Sequence, residues 1–413
     1  MKTSIKQNIP YIEPPIVTSE QGAHLTIDGK DFINLCSNNY LGLAADPRLK
    51  TAAIQAIETY GVGTASVRAL IGTNSFHIEL EKKLAAFKGA EAAIVLTGGY
   101  MANLAVIQTV LDKDDVVISD ELNHASIIDA IRLSGVKNKF IYKHADIGDL
   151  KNQTGDIKKL LDVKKADGSS RQCILVTDGV FSMDGDIAPL PELVTWAHEQ
   201  KIMVMVDDAH GEGVLGNHGR GIVDHFGLHN KIDFEVGTLS KAFGVMGGFV
   251  TGTKETIELL KQKSRQFLFS NGLSIPDTAA LIEAVSILEE SDERVKKLWE
   301  NTRYLQSKLK EHKFDIGKTQ TPITPVMIGY EEKAMQMSAG LKKLDIMVST
   351  IKFPMVAKGS ARLRLMPSSL HTHEDLDKSI EALLSLSKNK SFSSFFGRIG
   401  YSVGKFIKKI IRK

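Results

Sequence analysis

From about Pro47 onward, short apolar runs alternate with longer stretches whose apolar residues recur at helical spacing. Seven runs stand out: Ala92 to Leu96, Val116 to Ser119, Lys139 to Tyr142, Cys173 to Val176, Met203 to Val206, Phe234 to Val236 and Gly248 to Thr251. Most lie near a helical segment, for example His77 to Lys88 or Leu190 to Gln200. Short continuous apolar strands alternating with helices are the pattern of a mostly parallel sheet covered on both faces. Before them, Ala23 to Ile27 and Asp31 to Leu35 flank the turn Asp28-Gly29-Lys30 and read as a hairpin within an N-terminal segment, 1–46. Ser37-Asn38-Asn39-Tyr40-Leu41-Gly42-Leu43 follows as a tight polar connection. Later come long amphipathic helices, Ala279 to Glu290 and Arg294 to Lys310, then strands at Pro325 to Gly329 and Ile346 to Ile351, and a helix near Glu374 to Leu386. The expectation is an α/β chain with a large domain over 47–280, a smaller α+β domain over 281–387 and a separate tail, 388–413.

Composition narrows the class without naming it. With 413 residues, 43% hydrophobic and 24% charged, the chain has room for one large core and a smaller one. Cys36 and Cys173 stand far apart, with no CxxC or histidine cluster, so neither a disulfide framework nor a metal site is expected and a reducing cytoplasm fits. The N-terminus lacks the apolar core of a signal peptide, and no run of about 18 apolar residues could span a bilayer. The net charge of +3 hides an asymmetry, because Lys388 to Lys413 holds eight Lys/Arg and no acid, leaving the rest net acidic. Basic and aromatic residues do not interleave in the body as they would in a nucleic-acid binder.

In open parallel sheets ligands bind beyond the carboxyl ends of the strands, so the residues just after each run carry the most information. Thr97-Gly98-Gly99-Tyr100 opens a helix and could present backbone N–H groups to a phosphate, although a simple turn reads as well. His124, in Asp120-Glu121-Leu122-Asn123-His124, could lie flat on a planar ring or be structural. Asp207 directly follows Met203-Val204-Met205-Val206, where a carboxylate is costly unless it meets a cation. His210 is three residues further on. Lys241 sits in Gly237-Thr238-Leu239-Ser240-Lys241-Ala242-Phe243-Gly244, where its amine could condense with a carbonyl while Thr238 and Ser240 hold a phosphate; alone it reads equally as a solvated loop lysine. Together a carboxylate for a ring nitrogen, an amine for an aldehyde and glycines for a phosphate would hold every end of pyridoxal 5'-phosphate.

The segments SNNYLGL, GTNSFHIELE, GGYMAN, DELNHASIIDAIRLS, DGVFSMDGDIAPL, VDDAHGEGVLG, GTLSKAFG and RLRLMPSSLHT resemble, in order from Ser37 to His371, the pyridoxal-phosphate-dependent α-oxoamine synthases. That family includes glycine C-acetyltransferase, 8-amino-7-oxononanoate synthase, 5-aminolevulinate synthase and serine palmitoyltransferase. The resemblance implies fold type I with a seven-stranded sheet, a homodimer with shared active sites, and condensation of an amino acid with an acyl-CoA. It makes Lys241 the Schiff-base lysine and Asp207 the partner of the pyridine nitrogen. His124 would stack on the ring and His210 would bond the phenolic oxygen. Gly99, Tyr100, Thr238 and Ser240 would cradle the phosphate, with Ser182 a further cofactor contact. Ser270 and Asn271 would reach the phosphate in the partner subunit. Arg364 would bind the amino-acid carboxylate, with Asn39 close by; Arg362 competes for that role, and the spacing of Arg364 to His371 favours Arg364.

Within the family the motifs look closest to glycine-using enzymes, above all glycine C-acetyltransferase and its 8-amino-7-oxononanoate synthase-like relatives. A serine palmitoyltransferase-like enzyme is the runner-up, with 8-amino-7-oxononanoate synthase, a plain aminotransferase and a non-catalytic scaffold behind it. The tail places Phe392, Phe395, Phe396, Ile399, Val403, Phe406, Ile407, Ile410 and Ile411 at three- and four-residue spacing, with Arg398, Lys405, Lys409 and Arg412 largely opposite. That pattern suits either a basic amphipathic helix over 391–413 on the inner, anionic face of a membrane or a helix docked on the protein itself.

Overall fold

All seven apolar runs become strands of one sheet. In the computed structural model, which describes residues 14–388, a hairpin of β1 (His24–Ile27) and β2 (Lys30–Leu35) comes first. The large sheet then comprises β3 (Ala92–Leu96), β4 (Val116–Asp120), β5 (Asn138–Tyr142), β6 (Cys173–Asp178), β7 (Met203–Asp207), β8 (Phe234–Thr238) and β9 (Gly248–Gly252). Their spatial order is β3-β9-β8-β7-β6-β4-β5, and β9 alone runs antiparallel to both its neighbours. Apolar clusters cover both faces, so side chains pointing either way are buried; Ile118, Leu175 and Val206 belong to one cluster and Val117, Ile174 and Met205 to the other. That double burial is why the runs carry no polar alternation.

Four strands extend past their apolar runs to a polar residue, Asp120, Asp178, Asp207 and Thr238, each buried and paired in register with its neighbour. The sheet thereby carries polar groups to its carboxyl edge. β4 leads outward to β5 and the chain then returns to β6 on the other side of β4, so the topology reverses there and opens a crevice.

A second sheet joins the hairpin to β10 (Thr324–Gly329), β11 (Ile346–Ile351) and β12 (Ala361–Leu365), in the order β1-β2-β11-β12-β10. β2 pairs parallel with β11, and Ile33 and Leu35 pack with Val348, Leu363 and Leu365 in the smaller core. The helix Ile275–Glu290 buries Leu281, Ala284, Val285 and Leu288 in the large core. The next helix, Glu293–Glu311, places Val295 and Leu298 in the large core but Leu305 and Leu309 in the small one, so it ties the two together. Among the described residues no helix is long and apolar enough to cross a membrane, and the basic tail expected over 391–413 lies outside them.

Candidate active site

A cavity of about 330 Å³ opens at the carboxyl edge of the large sheet. Gly99, Tyr100, His124, Ser182, Asp207, His210, Thr238, Ser240 and Lys241 all line it, from seven separate stretches of chain.

At one end the 12-residue helix Gly99–Val110 points its N-terminus into the cavity. Thr238 Oγ1 and Ser240 Oγ lie 2.9 Å apart beside it, and Thr238 also donates to the Gly247 carbonyl at 3.2 Å. A Cβ on Gly248 would come within 2.4 Å of the Gly98 and Gly99 backbone, so glycine there lets β9 press against the helix start. Free N–H groups, the positive helix end and two hydroxyls suit a phosphate.

On the cavity floor Asp207 is held on both oxygens: Oδ1 accepts from Ala209 N at 2.9 Å and Oδ2 from Asn103 Nδ2 at 2.6 Å. Asn103 also donates to Ser126 Oγ at 2.8 Å, and that hydroxyl lies 2.7 Å from His124 Nδ1. Since Ser126 N also donates to Nδ1 at 3.2 Å, that nitrogen is an acceptor and His124 carries its proton on Nε2. His124 caps the helix Ala125–Ser134, which fixes its place over the cavity. Burial holds its pKa low, the Asp207 carboxylate opposes that, and the Lys241 amine adds to it, leaving a neutral, flat imidazole. A neighbouring acid, Asp178, accepts from His124 N at 3.0 Å; burial and the Asp207 charge push its pKa far up.

Lys241 follows β8 on a loop anchored by the fully buried Leu239, Ala242 and Phe243. Its amine has no hydrogen-bond partner among the described residues and projects into the cavity. Burial lowers its pKa to about 8, against the opposing pull of Asp207 and Asp178, so a useful fraction is the neutral nucleophile near neutral pH. His210 lies deeper, with Nδ1 2.8 Å from the Tyr40 hydroxyl.

Arg364 Nη1 donates to the Ser182 carbonyl at 2.9 Å, while its buried Nε has no partner, an orphaned donor at the edge of the site. Its rival Arg362 is engaged by Asp184 and the Met183 carbonyl. Asn39 is placed otherwise than the resemblance implies: its amide donates to the Gln21 carbonyl at 3.2 Å and accepts from Ala44 N at 3.3 Å, closing the turn after β2 and not lining the cavity. Ser270 and Asn271 also lie outside the cavity, where Asn271 bridges Val67. A second cavity of about 380 Å³ shares Ser182 with the first and is walled by Leu122, Phe181, Met183, Met355 and Val356.

Behind Asp207 lies a buried charge cluster that sequence reasoning missed. Lys88 Nζ sits 2.9 Å from Glu212, 2.8 Å from Glu235 and 3.5 Å from Asp208, and donates to the Arg220 carbonyl. The three carboxylates are spaced for a metal, but an ammonium already stands among them. Asn103, Tyr40 and Ser126 were missed as well, although GGYMAN puts Asn103 one helical turn after Gly99 and hence on the same face. An aldehyde-seeking amine, a buried acid with no ion-pair partner among the described residues, a flat imidazole and a phosphate cradle fit pyridoxal phosphate in chemistry.

The aminotransferase class I and II family matches residues 30–383. An 8-amino-7-oxononanoate synthase from Thermosipho melanesiensis is 56% identical over 363 residues, 88% of this chain and 90% of the relative. One of the same name from Fervidobacterium nodosum is 54% identical over 92% of this chain and 94% of its own length. Among solved structures, a serine palmitoyltransferase from S. paucimobilis with bound PLP superposes with a TM-score of 0.85 at 32% identity, covering 92% of this chain and 93% of that one. An 8-amino-7-oxononanoate synthase from Francisella tularensis gives 0.71 at 27% identity, covering 86% and 98%. With the sheet, the cavity and these likenesses in agreement, the chain belongs to the pyridoxal-phosphate-dependent α-oxoamine synthases, within the aminotransferase class I and II family.

Proposed function

We propose that this enzyme joins alanine to a pimeloyl thioester, forming 8-amino-7-oxononanoate with release of carbon dioxide and the free thiol. The observation that carries this reading is the identity of 54–56%, over nearly the whole chain, to relatives bearing that product's name. The product's skeleton fixes the two substrates. A seven-carbon dicarboxylic acyl group supplies the carbons up to the ketone, and alanine stripped of its carboxylate supplies the amine-bearing carbon and its methyl. Glycine, which the motifs favoured, lacks that methyl; an acetyl donor lacks the chain.

Pyridoxal phosphate supplies the electron sink that makes the amino acid's α-hydrogen acidic. The chain's own residues bind, orient and move protons. Asp207 would hold the ring nitrogen protonated, while Asn103 and Ala209 N keep the carboxylate still. His124 would lie against the ring. The helix start at Gly99 and Tyr100, with Thr238 and Ser240, would hold the phosphate. Lys241 would take the α-proton, a task suited to an amine whose pKa burial lowers to about 8. Arg364, with its free Nε, takes the amino-acid carboxylate in bidentate fashion. The cavity beyond Ser182, with both apolar walls and charged residues such as Lys318 and Arg362, would take the acyl chain of the donor.

The homodimer belongs to the same proposal. Val62, Leu70, Ile71, Met246 and Phe269 are 60–89% exposed, and Met246 lines the cavity, so apolar side chains are available for a partner to cover. Ser270 and Asn271 would then meet the partner's cofactor.

The test is to supply alanine, glycine and serine separately to the purified enzyme, each with pimeloyl-, acetyl- and palmitoyl-CoA, and to follow thiol release. Release with alanine and the pimeloyl donor supports the proposal. Release confined to serine with palmitoyl-CoA, the pairing suggested by the serine palmitoyltransferase likeness, would replace it.

A further inference from the structure

Tyr40 lies in the turn after β2, 170 residues from His210 in sequence, yet its hydroxyl meets His210 Nδ1 at 2.8 Å in a buried contact. The two rings meet edge to face, with centroids 6.2 Å apart. The phenol is firmly mounted. Tyr40 N donates to the Asn38 carbonyl and Ser369 N donates to the Tyr40 carbonyl, both at 2.8 Å, and the flanking Leu41 is fully buried. Ser369 follows closely on β12, the strand that carries Arg364. Among the described residues the Tyr40 hydroxyl has no other partner, and His210 Nε2 has none at all while its ring lines the cavity.

His210 is neutral, because burial first, and then the positive charges of Lys241 and Arg364, drive its pKa well down. A neutral imidazole carries a single proton, on one nitrogen or the other. Were it on Nδ1, the Tyr40 oxygen would accept, its own proton would be left buried without an acceptor, and Nε2 would face the cavity only as an acceptor. With the proton on Nε2, Tyr40 donates to Nδ1 and both of those buried groups are satisfied, leaving only the Nε2–H toward the cavity. The cavity then receives an N–H donor, as a phenolate oxygen needs.

We propose that Tyr40 is a positioning residue that fixes His210 as the Nε2–H tautomer, so that the ring donates to the phenolic oxygen of the cofactor. The inference rests on the reading that His210 faces that oxygen, and it adds the device that makes the histidine a donor. The phenol of Tyr40 touches neither cofactor nor substrate and acts through the imidazole alone.

Full-length protein labelled with nitrogen-15 histidine tests this by long-range proton–nitrogen NMR, with and without PLP, the His210 signals being identified by their loss in His210→Asn. The expected wild-type pattern is an unprotonated Nδ1 and a protonated Nε2. In Tyr40→Phe, which keeps the ring's packing, the preference should disappear and the PLP dissociation constant should rise about three- to tenfold, the effect of losing one buried hydrogen bond. A protonated Nδ1 in the wild type, or an unchanged tautomer in Tyr40→Phe, overturns the proposal. If Tyr40→Phe does not fold, the wild-type tautomer decides alone. An unchanged PLP affinity in His210→Asn would sink the placement of His210 on the cofactor while leaving the tautomer result standing.

Discussion

Asn103 places one amide nitrogen 2.6 Å from Asp207 and 2.8 Å from Ser126, whose hydroxyl in turn meets His124. A single side chain in the helix Gly99–Val110 therefore sets both the acid proposed for the ring nitrogen and the histidine proposed for the ring face, and it does so from the element whose N-terminus lines the same cavity. Replacing it with leucine leaves the Asp207 carboxylate short of a donor. A hydrogen bond to a charged group contributes roughly 1.5–3 kcal/mol, so Asn103→Leu should weaken PLP binding about ten- to hundredfold. Quenching of intrinsic fluorescence on cofactor titration measures it; an unchanged dissociation constant would mean that Asp207 is held without the amide.

The Lys241 amine, with its pKa lowered to about 8, gives a prediction with a definite sign. Only the neutral amine attacks an aldehyde, so the rate of PLP capture by apoenzyme should rise about tenfold per pH unit below about 8 and level off above it. Stopped-flow absorbance across that range checks the curve, and a plateau starting near the ordinary lysine value would show that burial does not act as argued. Lys241→Ala should lose all turnover and all borohydride-fixable cofactor. Full activity in that variant would overturn the whole assignment.

How much of this was legible beforehand depends on whether a residue acts next to its own strand or across the fold. The seven strands were readable because double burial leaves each run apolar throughout, and Asp207, His210 and Lys241 were readable because each lies in the short stretch just beyond such a run. Tyr40 and Asn103 left no such trace, for their partners are 170 and 104 residues away and only the folded chain brings them together. Asn39 shows the converse: an asparagine in a family motif whose amide is spent on the Gln21 carbonyl and on Ala44 N. The pairing of the hairpin with β11 was equally hidden, since a parallel partner more than 300 residues away has no local signature.

Lys88 offers a stability prediction. It is 2% exposed and stands among Asp208, Glu212 and Glu235, three carboxyls sharing one ammonium. Burial raises the Asp208 pKa to about 7 even though Lys88 pulls it down. Lys88→Met strips the cation from buried acids, a change that costs about 3–5 kcal/mol when one partner of a buried pair is removed. The loss should be greatest above about pH 7, where Asp208 is driven to ionise, and should shrink as the medium becomes acidic. Adding Glu235→Gln should recover part of it. Chemical denaturation at two pH values would decide, and a variant as stable as the wild type at both would show that the cluster holds enough protons to do without its lysine.

His144 makes the last prediction, because it joins two strand ends beside the catalytic cavity. Nδ1 lies 3.1 Å from Asp120 and Nε2 2.7 Å from Asp186, while the ring stands edge-on to Phe181 at 4.3 Å between centroids. It thereby fixes the turn that carries Ser182, whose carbonyl holds Arg364. Burial works to lower its pKa, but the two carboxylates more than offset this and hold it up at about 10. An unfolded histidine titrates near 6.5, so the folded value is the raised one. Its stabilising contribution is then fully present below about pH 6.5 and is lost as the pH rises through about 10. The Tm gap between wild type and His144→Asn should be widest near about pH 6 and close by about pH 10.5, as followed by scanning fluorimetry. A gap that stays constant over that range would mean the imidazole is neutral in the fold, and the turn bearing Ser182 would then be held by the Phe181 packing instead of by charge.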